Sequence, residues 1–281
     1  MELKNLTTFH IGGRVQHFYI VNSIVELQER LEYIRANKMK YYVLGSGSNI
    51  LVHDQTLKGV VIKLGPGFAK IQKKGNSLFV GGAVTIPKLL SYCRANNLAG
   101  AEFLWGIPGT VGGAVKGNAG TKDKSISRII KSLTGISGLG KIERFPVEKI
   151  LFTYRGSNIG DIFIITEVEL ALHKSSKRVI STNTNKYRQL RDQQPKGYSA
   201  GCIFKNPSGQ SAGALIEFAG LKGRISGGAV VSPKHANFII NRNGRAKAKD
   251  VWELINLIRR TVEQTSDIKL ELEIKTWGEF K

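Results

Sequence analysis

Leu44-Gly45-Ser46-Gly47-Ser48-Asn49, followed at once by the apolar run Ile50-Leu51-Val52, is the stretch that decides how this chain is read. Two glycines and three small polar residues let the backbone turn tightly and come close to a bulky group. Main-chain N–H groups clustered in such a turn make a concavity suited to a diphosphate. The spacing excludes two familiar nucleotide loops. A P-loop needs Lys-Ser/Thr after its last glycine; Ser48 and Asn49 stand there. A dinucleotide fingerprint needs a third glycine opening a helix; Ile50 stands there, and a strand-like run follows. The element is a strand–turn–strand loop, and a short Gly/Ser turn taken alone is more often a plain hairpin than a phosphate cradle.

Composition narrows the classes. The chain has 281 residues, enough for two or three compact units. No apolar run approaches the roughly 18 residues of a membrane span. The start, Met1-Glu2-Leu3-Lys4-Asn5-Leu6, lacks the apolar core of a secretory signal. Cys93 and Cys202 lie far apart, and His10, His17, His53, His173 and His235 form no ligand-spaced pair. A reducing cytoplasm and no structural metal are expected. The net charge is +21, which suits nucleic acid, a membrane surface or an anionic small ligand. The basic residues are densest over 174–205, where eight Lys/Arg face one acid, Asp192. No RNA-binding or helix-turn-helix signature accompanies them.

The local patterns mix. Val15–Val21 alternates as a strand does. Ser23 with Glu26 three residues on marks a helix start, and that helix runs to about Asn37. Tyr41–Leu44, Val60–Leu64 and Leu78–Gly81 read as strands, and Ile86–Asn96 as a helix. Gly106–Gly120 holds six glycines in 15 residues and reads as an extended loop system. Val147–Asn158 reads as a turn region and Asp161–His173 as a strand. The basic, polar stretch 174–198 reads as a link between units. Gly223–Ser232, Asn237–Ile240 and Ile268–Thr276 read as strands. Ala248–Gln264 reads as an amphipathic helix with Val251, Leu254, Ile255, Ile258 and Val262 on one face. Without regular βα alternation, the expected class is α+β.

The second glycine system, Ile107-Pro108-Gly109-Thr110-Val111-Gly112-Gly113-Ala114-Val115 with Asn118-Ala119-Gly120, suggests a long ligand held at two ends. Taken with Asn5-Leu6-Thr7-Thr8-Phe9, Gly12-Gly13 and the 44–49 loop, it resembles the flavin-binding blocks of the UDP-N-acetylenolpyruvoylglucosamine reductase (MurB) family. Further blocks agree in order: Tyr154-Arg155-Gly156-Ser157, Ser199-Ala200-Gly201-Cys202-Ile203-Phe204-Lys205-Asn206-Pro207, Lys234-His235-Ala236-Asn237-Phe238, and Leu270-Glu271-Leu272-Glu273-Ile274 before Gly278. The first blocks are shared with other flavin-dependent oxidoreductases of the fold; those after 154 are specific to this family. The resemblance implies a two-part FAD-binding module (PCMH-type) over 1–62 and 63–175, and a C-terminal α+β substrate-binding domain over 184–281. The length is similar to the family's shorter type, which lacks an extra substrate-covering loop.

The resemblance also implies a reaction and a residue set. Non-covalent FAD would lie on Gly45, Ser46, Gly47, Ser48, Asn49, Pro108, Gly109, Thr110, Gly112, Gly113 and Asn118. NADPH would reduce it, and hydride would pass from flavin N5 to C3 of an enolpyruvyl ether carried by a UDP-sugar. Arg155, a planar fork for a carboxylate, would stabilise the charge that develops. Glu273 would meet the substrate carboxylate, and a carboxyl in that place should be protonated. Only the match favours Glu273 over Glu271, because alternation puts both on one polar face. Cys202 stands where the family most often has serine as the acid that protonates C2. A thiol, with a pKa of about 8.5, is a stronger acid than a hydroxyl but a weaker hydrogen-bond donor. Tyr154, Arg191, Lys205, Asn206 and His235, with Asn237 as a further candidate, would contact substrate. Polyanionic UDP-sugar, NADPH and FAD give the basic charge a target, so the expected partners are small molecules. No nucleic acid and no membrane span are expected, and the chain is expected to be a cytoplasmic monomer.

Overall fold

Ser23 ends the strand Val15–Val21 and opens the helix Ile24–Ala36 (α1), its hydroxyl accepting from the Glu26 N–H at 3.1 Å. The Glu26 carboxylate reaches back and accepts from the Asn22 N–H at 2.7 Å. This is a capping box displaced by one residue. The computed structural model describes residues 1–160 and 163–280. They form two compact units, each assembled from separated stretches of chain.

The larger unit comprises His17–Ser46 and Gly59–Asp192. Strand Leu57–Leu64 lies between Val15–Val21 and Tyr41–Leu44, parallel to the latter with Leu44 opposite Lys63. Leu27, Leu31 and Ile34 of α1 pack with Val21, Val60, Ile62 and Phe68 in one cluster. Their spacing at three and four residues puts them on one helix face. A five-stranded antiparallel sheet follows the order Ile71–Lys74, Ser77–Gly81, Ile164–Ala171, Ile130–Ile136, Ile142–Pro146. The expected strand at 161–173 is the third of these; its first two positions lie outside the described residues. Helix Ile86–Ala95 (α2) starts at Thr85, whose hydroxyl accepts from the Lys88 N–H.

Two stretches of this unit hold helices that their local sequence does not announce. The segment 106–120 is not all loop: Val111–Lys116 is a helix (α3), capped by Thr110, with Val111 and Val115 fully buried. Glycine propensity argues against a helix, but this single turn and a half is stabilised by its packing on strand Ile164–Ala171. The polar stretch 174–198 is mostly the helix Lys177–Asp192 (α4), with Ile180 its buried residue. The helix belongs to the larger unit, and the division between the two units falls directly after it, at Asp192/Gln193, within the stretch expected to link them.

The second unit comprises Met1–Gln16, Gly47–Lys58 and residues 193–280. It contains helix Ala212–Phe218 (α5), which the sequence reading did not anticipate, and helix Ala248–Ser266 (α6). All five apolar residues expected on one face of α6 are buried to 1% exposure or less. Each such side chain contributes about 1.5–3 kcal/mol by leaving water. The Asp54 carboxylate accepts from the N–H groups of Ala248 and Lys249 at 2.9 and 3.3 Å, placing a negative charge at the helix's positive end. The stretch 223–232 is a hairpin, Ile225–Ser226 against Ala229–Val231, and Ile239–Asn241 adds a third strand. Of the expected strand 268–276, regular structure covers Lys275–Trp277, paired in parallel with Ile50–Val52. Residues 270–274 bond in turn to different partners, described below, which is why alternation there did not become one strand.

No helix among the described residues is long and apolar enough to cross a membrane.

Candidate active site

The cofactor-type loop begins in the larger unit. A Cβ at Gly45 would lie 2.8 Å from the Thr110 hydroxyl oxygen, so the two glycine systems touch and any larger residue would have to displace that hydroxyl. Thr110 is also the N-cap of α3, accepting from the Gly113 N–H. Across from Leu44, Lys63 donates from Nζ to the Gly45 carbonyl at 3.1 Å. Lys63 is half-buried, and burial holds its pKa below the usual lysine range. It has no carboxylate partner within salt-bridge distance among the described residues. A desolvated cation beside a glycine turn favours an anion there. The sequence reading missed Lys63 because nothing in its own segment marks it; only the strand register brings it to the loop.

The rest of the loop belongs to the second unit. Gly47 has φ +63°, and a Cβ there would sit 2.2 Å from the Leu6 carbonyl oxygen. Its carbonyl accepts from the Thr8 N–H at 3.1 Å. The block Thr7-Thr8-Phe9 is thus tied to the loop, and the Thr8 hydroxyl donates to the Ser199 carbonyl at 2.7 Å. Ser48 is partly buried and Asn49 exposed.

In the second glycine system the reasons for glycine differ from those expected. Gly112 approaches the protein's own main chain: its N–H donates to the Gly82 carbonyl at 3.0 Å, and a Cβ would lie 3.1 Å from that oxygen. Gly113 is the open one, with the Thr110 hydroxyl alone nearby at 3.4 Å from its would-be Cβ. Gly109, after Pro108, has φ +148° and accepts from the Ile86 N–H. Gly106 has φ +70° and lies under Arg191, whose Cγ is 2.9 Å from where a Cβ would be. Arg191 of α4 therefore sits on this system. Asn118 is buried, with its side-chain N–H donating to Thr153 at 2.9 Å and its Oδ1 accepting from Ser127. Its amide is engaged with protein at both ends, so any cofactor contact falls to its main chain.

Asn118 thereby anchors a small hairpin, Phe152–Thr153 against Gly156–Ser157, whose two-residue loop is Tyr154-Arg155. Arg155 has φ +56°. A left-handed non-glycine residue costs about 1–2 kcal/mol, and such strain concentrates at functional sites. The guanidinium carbon stands 5.2 Å from the Tyr154 ring centroid, and Tyr154 is half exposed. The ring thus orients the fork by cation–π attraction.

In the second unit, residues 202–205 run between two other segments. On one side Ile203 N–H donates to Asn237 C=O, and the Asn237 side chain bonds both the N–H and the C=O of Phe204. Asn237 is buried, with both ends of its amide engaged in this clamp. On the other side Lys205 N–H donates to Glu271 C=O, and Glu273 N–H donates to Ile203 C=O at 2.8 Å. Cys202 is therefore one residue from the carbonyl that fixes Glu273. Cys202 is half-buried, whereas Cys93 is buried and its thiol is pushed up to about 12 by burial and by Glu102.

The two neighbouring acids separate clearly. Glu271 is paired with Lys205 at 3.1 Å, and its side chain is 76% exposed. Glu273 is half-buried. Asn206 accepts from the Ala212 N–H at 3.0 Å and so holds the start of α5. His235 Nδ1 accepts from the Asn237 N–H at 3.2 Å, which leaves Nε2 as the protonated nitrogen of the neutral ring. Burial keeps its pKa below the usual histidine value. Its Cε1 is 3.2 Å from a would-be Cβ on Gly213, so α5 approaches the ring through a glycine.

In the larger unit the residues fit the diphosphate of a flavin dinucleotide: the half-buried Lys63 ammonium bonds the carbonyl of Gly45, a glycine crowded by the Thr110 hydroxyl. The family described as "FAD binding domain" matches residues 15–146. With the α+β fold, this defines an FAD-dependent oxidoreductase: a PCMH-type flavin module followed by a C-terminal α+β domain. Residues 193–277 match the "UDP-N-acetylenolpyruvoylglucosamine reductase, C-terminal domain". The chain is 39% identical to UDP-N-acetylenolpyruvoylglucosamine reductase 2 of Symbiobacterium thermophilum, over 98% of this chain and 90% of that one. It is 38% identical to the reductase of Alkaliphilus oremlandii, over 99% and 92%. The crystal structure of the UDP-N-acetylenolpyruvylglucosamine reductase of Thermus caldophilus matches with a TM-score of 0.88 at 38% identity, covering 99% of this chain and 98% of that one. The chain belongs to the UDP-N-acetylenolpyruvoylglucosamine reductase family.

Proposed function

We propose that this chain reduces the enolpyruvyl group of UDP-N-acetylglucosamine enolpyruvate to give UDP-N-acetylmuramate, with NADPH as reductant, in the cytoplasm. Bound without a covalent link, FAD supplies the hydride carrier between NADPH and C3 of the enolpyruvyl group. The chain's own residues handle charge and the proton. Arg155 pairs with the substrate carboxylate through its two-pronged guanidinium, and Tyr154 keeps that fork oriented. Glu273, as the neutral acid, donates a hydrogen bond to the same carboxylate as charge accumulates. The Cys202 Sγ–H delivers its proton to C2; the thiolate then recovers one from solvent. Hydride at C3 and proton at C2 balance the reduction. Arg191, Lys205 and His235 add cationic or N–H contacts to the diphosphate and sugar, and Asn206 presents its remaining amide N–H. The three-part division at 1–62, 63–175 and 184–281, the shorter family type without the extra covering loop, and a monomeric state complete the reading.

The observation that carries it is the hydrogen bond from Glu273 N–H to Ile203 C=O, which fixes the main chain of Glu273 to the residue that follows Cys202. The engagement of Glu271 by Lys205 supports the choice between the two acids. An anaerobic experiment tests it: reduce the bound flavin with NADPH, then add UDP-N-acetylglucosamine enolpyruvate. Reoxidation with formation of UDP-N-acetylmuramate is expected. Flavin that stays reduced would remove the substrate assignment.

A further inference from the structure

Asn49 closes the cofactor-type loop, yet its side chain points its bonding at the protein. Its Nδ2 donates to the Glu273 carbonyl at 3.2 Å, and its own carbonyl accepts from Lys275 N–H at 3.0 Å. One residue later the parallel ladder begins, with Ile50 opposite Lys275. In a regular parallel ladder, the rung before Lys275 N–H to Asn49 C=O runs from the main-chain N–H of residue 49 to the carbonyl of residue 273. Here the side-chain amide makes that rung. The ladder is extended by one bond while the loop's main chain is left to curve as the glycines direct.

The consequence falls on Glu273. Its N–H is fixed to Ile203, next to Cys202, and its C=O is fixed to Asn49, next to the glycine turn. Both main-chain polar groups of the acid are thus anchored, one toward the proton donor and one toward the cofactor loop. We infer that Asn49 is a positioning residue for Glu273: its side-chain amide sets the register and tilt of the 273–275 segment, and so the aim of the carboxyl group at the substrate carboxylate. The residue's contribution to the cofactor comes through its main chain alone. Occupation of the loop and alignment of the acid are thereby coupled through one side chain. This rests on the role of Glu273 proposed above.

The test uses the holoenzyme and separates the two half-reactions by stopped flow. Variants are Asn49→Ala, Asn49→Leu (similar size, uncharged, no N–H donor), Glu273→Gln and the Asn49→Ala/Glu273→Gln double variant. Asn49→Leu keeps the test open where the smaller side chain compromises folding, and thermal unfolding of each variant controls for that. Expected for both Asn49 variants is substrate-driven reoxidation slowed about 10- to 100-fold, the scale of a misplaced group, a loss about tenfold or more beyond any loss in FAD affinity or in NADPH-driven flavin reduction. The double variant should be no slower than Glu273→Gln alone, because both substitutions remove the same interaction. Equal losses in FAD affinity and in both half-reactions would make Asn49 a side-chain cofactor contact and overturn the inference. So would unaltered reoxidation in the Asn49 variants while Glu273→Gln is slow, or losses that multiply in the double variant. Unaltered reoxidation in Glu273→Gln itself would instead remove the role of Glu273, and this inference with it.

Discussion

The two glycine systems use glycine for opposite reasons. In the 45–49 loop, Gly45 abuts a hydroxyl and Gly47 combines a left-handed φ with a carbonyl 2.2 Å from its would-be Cβ. The turn is shaped by crowding, and its N–H groups are what it has to offer. In the 106–120 segment, Gly112 lets helix α3 press against the main chain of Gly82 and Ile165, and Asn118 is spent anchoring the Tyr154-Arg155 hairpin. Crowding shapes the first system as a tight turn. The second brings Thr110 beside Gly45 and, through Asn118, anchors the hairpin that carries the strained Arg155. A run of glycines therefore reports close approach without saying what approaches.

That contrast can be broken most severely at Gly47. Gly47→Ala adds a strained φ and a main-chain clash, and should destabilise the protein by roughly 3 kcal/mol and abolish FAD retention. Gly113→Ala, where the added Cβ meets the Thr110 hydroxyl alone, should unfold close to the parent temperature; thermal unfolding of the two variants side by side checks this. Next in size is Lys63. Replacing its half-buried ammonium in Lys63→Met should weaken FAD binding about tenfold, or about 1.4 kcal/mol, in a flavin fluorescence titration. Lys63→Arg should keep the affinity. Equal loss in both would mean that the shape of lysine matters and its charge does not.

The smallest effect belongs to His235. Its folded pKa is depressed by burial, while the unfolded value is about 6.5. As pH falls below that value the unfolded chain takes up a proton that the folded chain refuses, so stability decreases until the folded pKa is passed. Above the unfolded value the group contributes nothing to the slope. Denaturant titrations between pH 7 and pH 5 should show a shallower decline for His235→Gln than for the parent.

Local signals in the sequence proved sufficient where local physics decides. The Ser23 cap and the apolar face of α6 are short-range patterns, and both stand as read. Helix α3 escaped because two glycines hide it; its stability comes from burying Val111 and Val115, which only the fold supplies. Helix α4 escaped because it is polar nearly all round, with Ile180 its buried residue. The run 268–274 alternates like a strand, but its bonds pass from Ile203 to Asn49, so no single ladder forms. At the candidate site the motifs marked positions, and the fold adds the contacts these residues make within the protein. Asn237 clamps Phe204, Asn206 holds α5, and Lys205 neutralises Glu271. Resemblance alone favours Glu273 over Glu271; in the structure Glu271 pairs with Lys205. Lys63 was invisible, because strand register rather than sequence distance puts it beside Gly45.

The central claim is that the glycine loops hold the flavin while Cys202 completes the reaction on the substrate. Stopped-flow measurement of both half-reactions in Cys202→Ala tests it most directly. Flavin reduction by NADPH at the parent rate is expected, with substrate-driven reoxidation slowed about 10²- to 10⁴-fold, the usual worth of a general acid. Reoxidation at the parent rate would contradict it.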